Sequence, residues 1–312
     1  MAFLEQLNAG LQCGAMTLPE CERRRHASFL RSHQQPDGGF PGRRGGSDLY
    51  YTSFALRGLT MLGELAEETA RRSAAYLAAT TADVGDLVAL HSFASCAALI
   101  QSAVPNLGFA EGGRDWLDKR TDEVLGPLRR DDGGWARSPR SGPSSVYHTF
   151  LAATLLDRLG RLPAPARREK LVQMIVSRRR NDGGFAELPP MTAGGTNPTA
   201  AAVNVLGIFN ALDCIDTHSV AKFFTRMQTA EGGIRAHARI DVADLLSTFT
   251  ALVTLKQLQA YRQLDLAAVE RFATALASPG GGFAAARFDP SRDCEYTFYG
   301  LACKIMSSDA DQ

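Results

Sequence analysis

FFTRMQTAEGGIRAHARIDVADLLSTFTAL, residues 223–252, is the stretch that decides the fold. Phe223-Phe224-x-x-x-Gln228 has helical spacing, and Glu231-Gly232-Gly233 punctuates it with a turn. A polar loop carrying Arg235, Arg239 and Asp241 follows. The run from Leu245 to Leu252 is then small or apolar on nearly all sides, which marks a buried helix. The stretch therefore reads as a half-exposed helix, a glycine turn and a buried helix.

Working outward, the same grammar recurs. Diglycine followed by an apolar residue stands at Gly38-Gly39-Phe40, Gly133-Gly134-Trp135, Gly183-Gly184-Phe185, Gly232-Gly233-Ile234 and Gly281-Gly282-Phe283. The first glycines are 95, 50, 49 and 49 residues apart, so the first gap spans two repeats and hides a copy without glycines near Asp86-Leu87-Val88. Each turn leads to a buried run: Tyr50-Tyr51-Thr52-Ser53-Phe54, Val146-Tyr147-His148-Thr149-Phe150, Leu246-Ser247-Thr248-Phe249 and Glu295-Tyr296-Thr297-Phe298-Tyr299. The preceding helices carry charge on one face, as at Arg167-Arg168-Glu169-Lys170, so outer and inner helices alternate.

This pattern predicts an all-α chain, an α/α toroid of six hairpins around a central apolar cavity, occupying residues 1–312 as one domain. No strand-type alternation is sustained. A closed ring is favoured over an open solenoid because the last repeat stops soon after its inner helix, with Ser307 to Gln312 expected as a frayed tail.

The chain has 34 Lys and Arg against 33 Asp and Glu, a net charge of +1, which offers nucleic acid no general attraction. Six scattered cysteines without a CxxC pair read as reduced thiols. Neither a membrane span nor a secretory leader is legible, so a cytoplasmic protein is expected.

The repeats, their F-L-x-x-x-Q…G-G-F elements and the inner helices opening on Tyr, His or Ser followed by Thr resemble the protein prenyltransferase β-subunits over essentially the whole chain. The Rab geranylgeranyltransferase β-subunit looks nearest, and the squalene cyclases are more distantly similar. The resemblance implies an isoprenoid diphosphate in the cavity, one zinc ion activating a cysteine thiolate, and a helical α-subunit as partner.

Residue by residue, the implied machinery is altered. The positions of the zinc-binding Asp, Cys and His hold Asp244, Leu246 and Tyr296, so no metal site and no cofactor are expected. The diphosphate clamp falls on Gly195, Ala238, Asp241 and Ser247. Arginines of the post-glycine loops, including Arg235, Arg239 and Arg292, are the alternative anion ligands, assisted by helix N-termini. Tyr51, Tyr147 and His148 are expected to face the bound lipid.

Asp244, Asp293 and Tyr296 are the candidate catalytic groups, with helix N-caps as the competing reading for Asp48, Asp244 and Asp293. Asp241-Val242-Ala243-Asp244 resembles the Asp-x-Asp-Asp of terpenoid cyclases, but Ala243 replaces the proton donor. The expected function is therefore an isoprenoid-diphosphate-binding, prenyltransferase β-like protein with a degenerate zinc site. A zinc-independent cyclase and a non-catalytic lipid-binding scaffold are the alternatives.

Overall fold

The computed structural model describes residues 1–308, in which thirteen α-helices alternate with glycine turns. They are α1 (Phe3–Ala15), α2 (Glu20–Ser32), α3 (Leu49–Met61), α4 (Glu67–Ala79), α5 (Leu87–Ala103), α6 (Gly113–Leu125) and α7 (Val146–Leu159). Then come α8 (Pro165–Ser177), α9 (Thr196–Ile208), α10 (Thr217–Met227), α11 (Leu245–Gln257), α12 (Leu266–Leu276) and α13 (Cys294–Ser308). Helices α2 to α13 form the six expected outer–inner pairs, and α1 is an additional helix that the repeat grammar does not contain.

A recurring hydrogen bond explains the repeat. The residue after each diglycine is fully buried, and its backbone N–H must find an acceptor. Phe40, Trp135, Phe185, Ile234 and Phe283 donate to the hydroxyls of Thr52, Thr149, Thr199, Thr248 and Thr297 at 2.9, 3.1, 2.8, 2.9 and 3.2 Å. The threonine that opens each of these inner helices is thus a clamp for the preceding turn.

The two glycines have separate reasons. The first of each pair has φ between +86° and +97°, the left-handed region where a Cβ is costly. The second gives room to the next outer helix: a Cβ on Gly184 would stand 2.5 Å from the Phe223 ring, and one on Gly233 2.5 Å from the Phe272 ring. Each turn is therefore tied to the repeat that follows.

The chain divides into two compact units, one of residues 1–4 and 125–272, the other of 5–124 and the residues from 273 on. In the first, α9 packs between α7 and α11. The short strands β1 (Ile234–Arg235) and β2 (Ala243–Asp244) pair antiparallel in its last loop, Ile234 opposite Asp244. In the second unit α3 packs between α13 and α5, so the last inner helix lies against the first, the contact that a closed ring of repeats requires. Strands β3 (Phe283–Ala286) and β4 (Asp289–Asp293) form the loop that precedes α13.

The same closure is visible at the glycines: a Cβ on Gly281 would stand 2.6 Å from the Arg25 carbonyl, and one on Gly282 2.7 Å from the Phe29 ring, both on α2. The sixth turn uses the first outer helix as its successor. Imidazole Nδ1 of buried His26 accepts the Gly282 N–H at 3.1 Å, and the ring stacks on Phe283 at 4.7 Å.

The expected fray at Ser307 does not occur. That residue is buried in the last turn of α13, where its hydroxyl donates to the Lys304 carbonyl at 3.1 Å. Residues 309–312 of the same expectation lie outside the described residues. Among the described residues no helix is long and apolar enough to cross a membrane.

Candidate functional site

In the second unit, helical spacing puts Tyr50, Phe54 and Arg57 of α3 on the face that meets α13. Ring centroids lie 4.9 Å apart for Tyr50 and Phe54, 5.1 Å for Phe54 and Tyr299, and 5.6 Å for Phe54 and Phe298. Tyr51 stands edge-on to Tyr50 at 5.5 Å, and Tyr296 to Tyr299 at 6.0 Å. The Arg57 guanidinium sits 4.0 Å over the Phe298 ring, a cation–π contact. These side chains form a continuous aromatic wall.

One carboxyl belongs to that wall. Glu295, only 8% exposed, accepts the Tyr50 hydroxyl proton at 2.6 Å on Oε1. Burial, with the charge of Asp293, pushes its carboxyl up to about 7, against the Tyr50 bond and the Arg43 charge. It therefore keeps its proton well above the ordinary carboxylate range.

Asp293, two residues earlier, has a different environment. It accepts Arg43 Nε at 2.6 Å and caps α13 through the Tyr296 N–H at 2.7 Å. Arg43 also pairs with Asp289 and holds it below the usual carboxylate range. The Arg43 guanidinium lies 5.2 Å from the Tyr296 ring. Burial, reinforced by the Glu295 and Asp293 charges, raises the Tyr51 phenol. Burial pushes the neighbouring Cys294 thiol up to about 12, so it stays protonated.

Arg292 is turned to a structural task. Its Nη1 donates to Ser278 Oγ at 3.0 Å and to the Gly281 carbonyl at 2.7 Å, and its guanidinium covers Phe29 at 5.3 Å.

In the first unit, Asp244 caps α11. Its Oδ1 accepts the Ser247 N–H at 2.7 Å and its Oδ2 the Ser247 hydroxyl at 2.8 Å. Burial raises its carboxyl while the Ser247 bonds oppose the rise. Arg235 pairs with Asp241 at 3.1 Å, and Arg239 is exposed, its N–H donating to His237 Nδ1 at 3.1 Å. Tyr147 is exposed at the start of α7. His148 Nδ1 lies 2.9 Å from the hydroxyl of Ser145, which also meets Glu187.

Of the residues singled out in the sequence, Tyr51, Asp293 and Tyr296 share the α3–α13 cluster. Asp244, Arg235 and Arg239 belong to the β1–β2 loop, and Tyr147 and His148 to the start of α7. Sequence reading missed Glu295, whose signal was a lone charge inside a run of buried aromatics. Glu187 reaches from the next repeat to accept the Tyr147 N–H at 3.1 Å.

The donor set does not fit the zinc of the prenyltransferases. Both carboxylate oxygens of Asp244 are engaged by Ser247, Leu246 has no donor atom, and the position where the resemblance implies a histidine holds Tyr296. Among the described residues no three His, Cys, Asp or Glu side chains converge.

The fold resembles that of the Candida albicans protein geranylgeranyltransferase-I complexed with GGPP, with a TM-score of 0.65 and 13% identity over 93% of this chain and 92% of that one. The type II terpene cyclase MstE from Scytonema, as a variant in complex with merosterolic acid A, aligns with a TM-score of 0.58 and 13% identity over 98% of each chain. A protein from Actinoplanes aligns with a TM-score of 0.56 and 17% identity over 92% of this chain and 97% of that one. None of the curated proteins matches the sequence. The family description "Prenyltransferase alpha-alpha toroid domain" matches residues 6–99 and 124–312. The six helix pairs, their glycine turns and this match place the chain in the prenyltransferase alpha-alpha toroid family.

Proposed function

We propose that the protein binds an isoprenoid lipid along the inner-helix aromatics, without zinc–thiolate chemistry. The observation that carries this reading is the α3–α13 aromatic cluster, in which half-buried Tyr50, Tyr51 and Tyr296 stand beside the buried rings of Phe54, Phe298 and Tyr299. Aromatic faces offer a branched, unsaturated chain both apolar area and π contact. Such a wall suits a prenyl chain better than a polar substrate.

Geranylgeranyl diphosphate is the first ligand to try, with geranylgeraniol as its uncharged counterpart and inorganic pyrophosphate as control. A ligand at ~100 times its dissociation constant adds ~2.7 kcal/mol of stability. That corresponds to a rise in melting temperature of roughly 4 °C for a chain of this size. Stabilisation by either prenyl compound but not by pyrophosphate supports the reading, and no shift with any of them refutes it. Metal analysis of the purified protein is expected to find zinc well below one equivalent; a full equivalent would restore thiolate prenylation as the leading activity.

Glu295 favours a second reading, an acid-initiated reaction on the same lipid. Its proton would pass to an alkene carbon, leaving a carboxylate and a carbocation opposite the rings, and proton loss from the product would restore the acid. Cyclised product from geranylgeraniol or its diphosphate, absent with Glu295→Gln, is the expected result. Unchanged substrate after long incubation would leave the binding function alone.

A further inference from the structure

The polar half of the α3–α13 cluster has a charge pattern that the resemblance to prenyltransferases does not anticipate. Arg43, the cation beside Glu295, is already shared by two carboxylates, Asp293 at 2.6 Å and Asp289. Arg57 lies over the Phe298 ring. Two cations, Arg43 and Arg57, against two carboxylates leave this wall with no net positive charge, even when Glu295 is neutral. An anion approaching Arg43 would meet the charges of both Asp289 and Asp293.

Glu295 itself is nine-tenths buried and only half used. Its Oε1 accepts from Tyr50 at 2.6 Å, whereas among the described residues Oε2 takes no hydrogen bond. When the carboxyl is protonated, Oε1 is occupied as an acceptor, so the proton sits on Oε2 and makes that atom a donor.

Resting on the proposed lipid-binding function, we propose that the polar end of the lipid at this wall is an uncharged oxygen, in the simplest case an alcohol, accepting a hydrogen bond from Glu295 Oε2, and that a diphosphate is the disfavoured head group.

The groups around Glu295 set the pH response. Tyr50 bonds it and Tyr51 feels its charge from α3, Arg43 of the preceding loop and Asp293 at the end of β4 act on it through their charges, and Asp289 of β4 shares Arg43. Lys304, also on α13, is held by Glu22. Burial has moved Glu295 to about 7. Ionisation removes the Oε2 donor and adds a third negative charge, so affinity for a neutral acceptor falls as pH rises.

The test is calorimetric binding of geranylgeraniol and of geranylgeranyl diphosphate to the full chain, solubilised in the same detergent, across about pH 6 to 8.5. The alcohol is expected to bind more tightly than the diphosphate, and about tenfold more weakly at the alkaline end than at the acid end. Glu295→Gln, which keeps an N–H donor but cannot ionise, is expected to bind the alcohol with no such pH slope. Should that variant fail to fold, the wild-type pH series still decides. Diphosphate binding as tight as the alcohol, or alcohol binding independent of pH in the wild type, overturns the inference while leaving the lipid-binding function standing. Binding of neither compound removes both.

Discussion

The Lys304 ammonium donates to the Glu22 carboxylate at 2.5 Å, joining the last inner helix to the first outer one. With side chains only 10% and 13% exposed, removal of one partner leaves a buried charge uncompensated. Glu22→Gln is expected to cost about 3 kcal/mol in urea denaturation, and Glu22→Leu with Lys304→Met to recover most of it. A single-variant cost below about 0.5 kcal/mol would mean that the pair behaves as a solvated surface pair.

The Thr149 hydroxyl is expected to contribute as the acceptor of the Trp135 N–H rather than as a ligand group. Thr149→Val keeps the shape and orphans a buried donor, at a cost of about 1–3 kcal/mol, while Thr149→Ser keeps the acceptor and costs less. Chemical denaturation of both variants separates the roles; equal losses would assign the effect to packing.

Two glycines with positive φ make a matched pair. Gly160 has φ +68° and nothing within 4 Å of an added Cβ, so alanine there costs only backbone strain, about 1 kcal/mol. Gly183 has φ +86° and the Ser219 carbonyl 2.6 Å from the Cβ position, so alanine adds overpacking, about 3 kcal/mol in total. Similar melting temperatures for the two variants would refute the account of inter-repeat contact.

Two buried groups should act on stability in opposite senses over nearly the same acidic range. Burial, with the Arg25 charge, lowers His26 from 6.5 to about 4, so the unfolded chain takes up a proton that the native state resists. Its stabilisation is present above about pH 6.5 and lost towards pH 4, on the order of 3 kcal/mol. Glu295 has the opposite sign. Its folded value of about 7 lies above the ordinary 4.5, so its contribution is present below about pH 4.5 and lost as pH rises to 7. Urea midpoints between about pH 4 and 7 should therefore rise more steeply with pH in Glu295→Gln than in the wild type, and equal slopes would refute the assignment.

How much of the site was legible follows from where its chemistry sits. Asp48, Asp244 and Asp293 were readable as caps because capping is local: Asp48 accepts the Tyr50 N–H at 2.8 Å, and the other two bond residues three positions ahead. The loss of Cys and His ligands at Leu246 and Tyr296 was equally readable, since donor chemistry is a property of residue type. The pairing of Arg43 with Asp289 and Asp293 was not, because 246 and 250 residues separate the partners.

By itself the sequence determined the alternation of outer and inner helices, since diglycine needs a particular backbone and a buried helix needs apolar faces all round. It also determined the count of six pairs, through a period of about 49 residues. Only the tertiary structure decided which charges remain available to a ligand. Folding brings the ends of the second unit together, spends Arg43 on two aspartates, and buries Glu295 beside Tyr50, where loss of water rather than any local motif gives the carboxyl its proton.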